Sequence, residues 1–198
     1  MNKIIEFLKI RRSTTAKTMS EGAVQENDLI DIINCGIRVP DHGALNPWKI
    51  VIIRGKKREQ LGSEILKKEF KKNNVNATEE EINYEKNRFL RASVIIAVIS
   101  SPVSHPKIPK WEMYLSAGAL CQNIIIAAQS LNYAAQWITE WYSYNEKMLT
   151  TLGGNPDTDK IAGFIYIGAK TKQPNVSDKI DAEIVEDVDD APEKVLAS

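Results

Sequence analysis

Apolar residues recur at helical spacing from the first segment of the chain onward. Within residues 3–10 (KIIEFLKI), Ile4, Ile5, Phe7 and Leu8 fall on about one face, which predicts a short amphipathic helix. A second helix is expected over 25–37, with acidic residues in its first turn and Leu29, Ile30, Ile33 and Ile37 as its stripe. Residues 38–47 carry Pro40, Gly43 and Pro47, which break any helix or strand. The β-branched run 48–54 (WKIVIIR) then predicts a strand. A basic amphipathic helix is expected over 56–72, and a charged one over 78–91, where Thr78 and Glu81 have capping-box spacing. The continuous apolar run 93–99 (SVIIAVI) reads as a central strand. The longest helix is predicted over 109–131, opening on proline, with small residues at Ser116-Ala117-Gly118-Ala119. It is apolar nearly all round, so burial on several sides is expected. A short strand at 134–138 and an apolar one at 160–168 (KIAGFIYIG) complete the pattern.

Helices outnumber strands, and every strand is short and apolar. The pattern predicts an α+β domain, a sheet wrapped by helices, over residues 1–172. The composition then changes. Residues 174–198 hold Asp178, Asp181, Glu183, Glu186, Asp187, Asp189, Asp190 and Glu193 against Lys179 and Lys194, a net of −6. Residues 173–198 therefore read as an acidic C-terminal arm or tail. The apolar 109–131 helix asks for more cover than 198 residues supply, which points to a dimer interface.

Charge narrows the function. Lys plus Arg is 26 and Asp plus Glu is 26, and this balance argues against a nucleic-acid binder, which carries a basic excess. The two cysteines, Cys35 and Cys121, have no metal-ligand spacing, so buried free thiols and no metal site are expected. No signal-peptide pattern opens the chain and no apolar run reaches the ~18–20 residues of a bilayer span, so a cytoplasmic protein is expected.

Four clusters are chemically suggestive. Arg11-Arg12-Ser13 brings two guanidinium forks and a hydroxyl together, suited to a phosphate or, equally, to a solvated helix end. The loop Arg38–Trp48 holds His42 and Asn46, as ligand contacts or as turn residues. Residues 131–140 (LNYAAQWITE) place Trp137 where it either lines a flat aromatic ligand or fills the core. His105 with Lys107 and Lys110 has no telling partner and reads as a charged loop. No G-x-G-x-x-G, Walker loop, nucleophile elbow or H-E-x-x-H is present, so a nucleotide would not be held by a Rossmann fingerprint.

In order, the segments Arg-Arg-Ser, then Arg38-x-Pro-Asp-His42-x-x-x-Asn-Pro-Trp48, Ile108-Pro-Lys-Trp-Glu112 with Ser116-Ala-Gly-Ala, Trp137, and Lys160-Ile-Ala-Gly-Phe-Ile-Tyr-Ile-Gly168 resemble the nitroreductase family across residues 1–170. They are most similar to its compact, single-domain YdjA-like branch of NAD(P)H nitroreductases. The resemblance implies a mixed, mostly antiparallel sheet wrapped by helices, in an intertwined homodimer with FMN shared between subunits. It implies that Arg11, Arg12 and Ser13 hold the FMN phosphate and ribityl chain. Arg38 and His42 would reach the partner subunit's FMN, with Asn46 near them. Trp137, Ile138 and Thr139 would flank the isoalloxazine. Ala127, Ala128, Gln129, Ser130, Leu131 and Asn132 match the stretch assigned to the nicotinamide nucleotide. The chemistry belongs to the flavin, so no catalytic side chains are expected. The implied function is ping-pong electron transfer from NADH or NADPH to a nitroaromatic, a quinone or another small acceptor. The alternative is a flavin-binding or sensing protein without turnover, favoured by Ile138, which stands where the branch has an arginine.

Overall fold

Alternation along one strand sets the layers. The computed structural model describes residues 2–20 and 22–170. Its elements are α1 (Lys3–Ile10), α2 (Glu26–Gly36), β1 (Trp48–Arg54), α3 (Lys56–Leu61), α4 (Lys67–Asn73), α5 (Glu79–Lys86), β2 (Val94–Ser100), α6 (Lys110–Ser130), β3 (Ala134–Ile138), α7 (Glu146–Thr151) and β4 (Lys160–Gly168). In β2 every residue is buried. Val94, Ile96 and Val98 join a core with α2 and α6, while Ile95, Ala97 and Ile99 join a second core with Leu61, Phe89 and Tyr142. A strand with helices on both faces has no polar side to show, which is why 93–99 reads as continuous apolar sequence.

The strand order is β1-β2-β4-β3. All three pairings are antiparallel. The α+β architecture is therefore as expected, and the described part of the sheet contains no parallel pair.

Several local differences have physical causes. The helix expected over 56–72 is broken into α3 and α4 by a π turn at Gly62–Leu66. A Cβ at Gly62 would overlap the Lys86 carbonyl, so this close approach to α5 requires glycine. The capping box forms, with Glu81 N donating to Thr78 Oγ1 (3.2 Å) and Thr78 N to Glu81 Oε2 (2.8 Å). Its helix stops at Lys86, however, and Arg88–Arg91 continue as a 3₁₀ turn. The helix α7 was not expected. It is six residues long, too short to show a period, and its start is capped by Asn145 Oδ1, which accepts from Met148 N at 2.8 Å. Cys121 is buried and desolvation pushes its thiol up to about 12, but Cys35 is exposed, contrary to expectation. The acidic tail lies outside the described residues.

α1 forms where the pattern predicts, capped by Asn2 Oδ1 (2.9 Å from Ile4 N). None of its residues is buried, and Ile4 is 68% and Ile10 63% exposed. The apolar stripe is present, but nothing in the described chain covers it. Trp111 and Leu115, on α6, are likewise exposed, at 67% and 53%.

Asp159 staples the turn before β4 to the sheet. Its buried carboxylate accepts from Lys49 Nζ (2.9 Å), Ser101 Oγ (2.9 Å), Asn155 N (3.1 Å) and Thr158 Oγ1 (2.8 Å). Burial raises its pKa, but those donors outweigh burial and lower it from 3.8 to about 2. A depressed folded value means stability that is complete above the unfolded pKa and lost as pH falls toward 2. Asp159→Asn should therefore cost about 2 kcal/mol at pH 7 and little near pH 2, measured by urea denaturation across that range.

Candidate functional site

Segment 11–16 is laid against α6 and β3 by three hydrogen bonds. Gln129 Nε2 donates to Arg12 O (2.6 Å), Thr14 N to Ala135 O (3.1 Å) and Ala16 N to Gln136 Oε1 (2.6 Å). Arg11, Arg12 and Ser13 thus stand beside the C-terminal end of α6. The two arginines differ. Arg12 Nη1 turns back to Lys9 O (3.0 Å) and Arg11 O (2.9 Å), closing α1. Arg11 Nη1 is buried with no hydrogen-bond partner, as is Gln129 Oε1. A buried guanidinium nitrogen left open is costly, and an anionic oxygen satisfies it.

At the other end of β3, Trp137 lies in a slot made by two glycines. Its indole N–H donates to Ala162 O at 3.0 Å. A Cβ at Gly163 would overlap the ring, and the far edge of the ring reaches Gly118 of α6. Ile138 packs toward the opposite core, and Thr139 follows it, exposed. Gly118 and Gln129 are about three turns apart on α6, so they share a face roughly 16 Å long. Arg12 and Trp137 therefore meet one side of one helix.

Beside β3 is a cavity of about 210 Å³ lined by Thr15, Lys17, Arg91, Gln136, Trp137 and Ile138, among others. Lys17 and Arg91 were not singled out from the sequence. They converge from segments more than seventy positions apart and carry no motif, so only the fold reveals them. Arg91 Nη2 is buried without a hydrogen-bond partner. Lys17 Nζ, Arg88 Cζ and Arg91 Cζ surround the Tyr84 ring at 5.1, 4.9 and 4.7 Å. The hydrogen bond from the Lys17 ammonium outweighs burial and, with the charges of Arg91 and Arg88, holds the Tyr84 phenol below its ordinary pKa. Arg88 is neutralised locally by Glu85 and Glu140, and Trp141 Nε1 also donates to Glu85 Oε2 (2.7 Å).

The remaining expected residues lie elsewhere in the same chain. Arg38 borders a groove of about 430 Å³ between α2 and α6, with Asn34, Cys35, Ala127, Ser130 and Leu131. His42 and Asn46 are in the loop before β1, and His42 Nδ1 meets Glu112 Oε2 at 2.7 Å. Glu112 is in the first turn of α6, roughly 25 Å along the axis from Gln129 and on a different face from Gly118. Of the stretch 127–132, Ala127, Ala128 and Gln129 are buried, while Ser130, Leu131 and Asn132 are exposed. Asn132 takes a left-handed φ of 68° and accepts from Lys170 Nζ at 2.9 Å. His105 Nδ1 accepts from the backbone of Lys107 and Ile108, which makes that loop a turn. No cluster of three or more His, Cys, Asp or Glu suited to a metal occurs among the described residues. No helix among them is long and apolar enough to cross a membrane.

The Nitroreductase family model matches residues 8–169, a range that holds both groups of residues and the whole sheet. The chain belongs to the nitroreductase family. It is 27% identical over 173 residues to YdjA of Escherichia coli K12, which bears the name of an NAD(P)H nitroreductase, covering 87% of this chain and 91% of that protein. The fold is similar to that of a nitroreductase-like protein from Bacillus cereus, at TM-score 0.76 and 25% identity, over 94% of this chain and 98% of the other. A Bacteroides fragilis nitroreductase with bound FMN aligns at TM-score 0.68 and 20% identity, over 94% and 100% of the two chains. Membership in the family accounts for the helix-covered antiparallel sheet and makes the chain an oxidoreductase by descent.

Proposed function

We propose that this nitroreductase-family chain is an FMN-dependent oxidoreductase that passes electrons from NADH or NADPH to a small acceptor, such as a nitroaromatic or a quinone. The observation that carries the proposal is the line of open cations beside β3. Arg11 Nη1 and Arg91 Nη2 are buried and lack hydrogen-bond partners, and Arg91 and Trp137 line one cavity. A ligand with an anionic end and a flat aromatic end satisfies both features, and FMN is such a ligand. When bound, FMN supplies the hydride acceptance and electron delivery that no side chain here offers.

The chain's own groups then have defined tasks. Arg11, Arg12 and Ser13 hold the phosphate and ribityl chain. Lys17 and Arg91 place positive charge beside the ring-flanking residues, where it stabilises negative charge developing on a reduced ring. Trp137, Ile138 and Thr139 flank the ring and exclude water. Ser130, Leu131 and Asn132 are the members of the nucleotide stretch that present atoms to a ligand. Nucleotide and acceptor use one exposed face in turn, which gives ping-pong kinetics.

Arg38, His42 and Asn46 complete the site from a second copy of the chain. Within one chain His42 and Arg12 meet α6 near opposite ends, through Glu112 and Gln129, and the exposed Ile4, Ile5, Leu8, Trp111 and Leu115 supply an apolar surface for that copy to cover.

The purified protein is expected to be yellow, to run as a dimer on sizing, and to bleach on anaerobic mixing with NADH or NADPH. A colourless protein that takes up no FMN overturns the proposal. Retained FMN that neither nucleotide bleaches would favour a flavin binder without turnover, the reading that Ile138 in place of arginine supports.

A further inference from the structure

The loop carrying His42 is held in an uncommon shape. Ala44 (φ 50°) and Asn46 (φ 48°) both occupy the left-handed region, next to Gly43 (φ 75°). Asp41 Oδ2 accepts from Asn46 N at 2.7 Å, and Asn46 Nδ2 donates to Ala44 O at 3.2 Å. A Cβ at Gly43 would overlap the Ile108 side chain, so the loop is pressed against the segment that leads into α6. This brings the imidazole of His42 to Glu112, Nδ1 to Oε2, at 2.7 Å. The Asp41 carboxylate is engaged by the loop backbone, and Glu112 has no other ion pair among the described residues.

A carboxylate only accepts, so the proton in this bond belongs to Nδ1. The neutral ring is then the Nδ1–H tautomer, and Nε2 makes no hydrogen bond among the described residues. The other histidine is arranged the opposite way. His105 Nδ1 accepts from Lys107 N (3.2 Å) and Ile108 N (3.0 Å), which leaves its hydrogen on Nε2. The two histidines are therefore held in opposite tautomers, and only His42 is oriented by a carboxylate.

We propose that Glu112 is a positioning residue that holds His42 in the Nδ1–H form, so that Nε2 gives a proton to the electron acceptor in the shared site. The inference rests on the proposed activity. For a quinone, the hydride surrendered by NAD(P)H ends on one carbonyl oxygen. The other oxygen takes its proton from Nε2 of the charged imidazole. The Nε2–H bond breaks as the O–H bond forms, and the ring returns to the neutral Nδ1–H form and regains its proton from water. Glu112 fixes which nitrogen donates.

The test uses the full chain labelled with ¹⁵N-histidine, with long-range ¹H–¹⁵N correlations recorded at a pH where both rings are neutral. His105→Gln assigns the two rings. His42 should be the Nδ1–H tautomer and His105 the Nε2–H tautomer. Glu112→Ala should shift His42 to Nε2–H, whereas Glu112→Gln, whose amide oxygen still accepts, should preserve Nδ1–H. An Nε2–H ring at His42 in the unsubstituted protein, or no change in Glu112→Ala, overturns the positioning role. A second measurement compares turnover of benzoquinone, which needs protons, with that of ferricyanide, which takes electrons alone. The quinone-to-ferricyanide ratio should fall about tenfold or more in Glu112→Ala and recover in Glu112→Gln. An unchanged ratio overturns the proton role. An unsubstituted protein that binds no FMN and reduces neither acceptor overturns the proposed activity itself, while the tautomer measurement still decides the His42–Glu112 pair.

Discussion

Arg88→Ala should destabilise the protein by about 3–5 kcal/mol, the usual cost of removing one partner from a buried ion network. Arg88 is 8% exposed and Glu85 is 5% exposed. The guanidinium grips both oxygens of Glu85 and also reaches Glu140, while Trp141 Nε1 donates to Glu85 Oε2. Burial lowers the Arg88 pKa, but Glu85 and Glu140 more than offset it and hold it above its ordinary value. Truncating Arg88 strands the Glu85 carboxylate in the interior. For a chain of this length the loss corresponds to a melting-point drop of ~6–20 °C. The double substitution Glu85→Gln with Arg88→Met should cost clearly less than Arg88→Ala, because no charge is left buried. Urea denaturation of the three proteins checks this. If Arg88→Ala loses under ~1 kcal/mol, the network is not what anchors the turn after β3. Glu140 follows Trp137, Ile138 and Thr139 directly, so the same substitution should also loosen the residues proposed to flank the flavin.

Arg11→Ala should weaken FMN binding by roughly 10–150-fold, or about 1.5–3 kcal/mol for a charged hydrogen bond to phosphate. The geometry makes a second, opposite expectation for the protein without FMN. Arg11 Nη1 is buried and unsatisfied there, so removing it should leave stability unchanged or raise it. Arg12→Ala should instead cost stability, because the Arg12 guanidinium also closes α1 through Lys9 O and Arg11 O. Fluorescence titration of FMN into the stripped protein gives the affinity, and thermal melting with and without FMN gives the stability. Unchanged FMN affinity in Arg11→Ala would remove the phosphate role from that residue.

Both expectations concern residues that the sequence shows unequally. Arg11, Arg12 and Ser13 are adjacent and were legible as a cluster, but nothing in the order of letters says that Arg12 turns back on its own helix while Arg11 stays open. Lys17, Arg91 and the Arg88 network were invisible, because each is an ordinary charge on an ordinary surface pattern until β3 and the turn before β2 meet. The stretch 127–132 reads as one block, yet Ala127, Ala128 and Gln129 are buried in the last turn of α6, while Ser130 at its end and Leu131 and Asn132 beyond it are exposed.

The sequence by itself determined the elements whose physics is local. Runs of β-branched residues marked β1, β2 and β4, the Thr78–Glu81 spacing marked a helix start, and the prolines and glycine of 38–47 marked the loop. Each depends on neighbours within a few positions, so a single chain of letters carries the information. The tertiary structure alone decided which helix face was covered, which guanidinium was left open, and which nitrogen of His42 carries its proton. Those outcomes depend on groups brought together across 70 to 120 positions, as in His42 with Glu112 and Ala16 with Gln136. Side-chain hydrogen bonding and burial are properties of the assembled neighbourhood, and no periodicity along the chain encodes them.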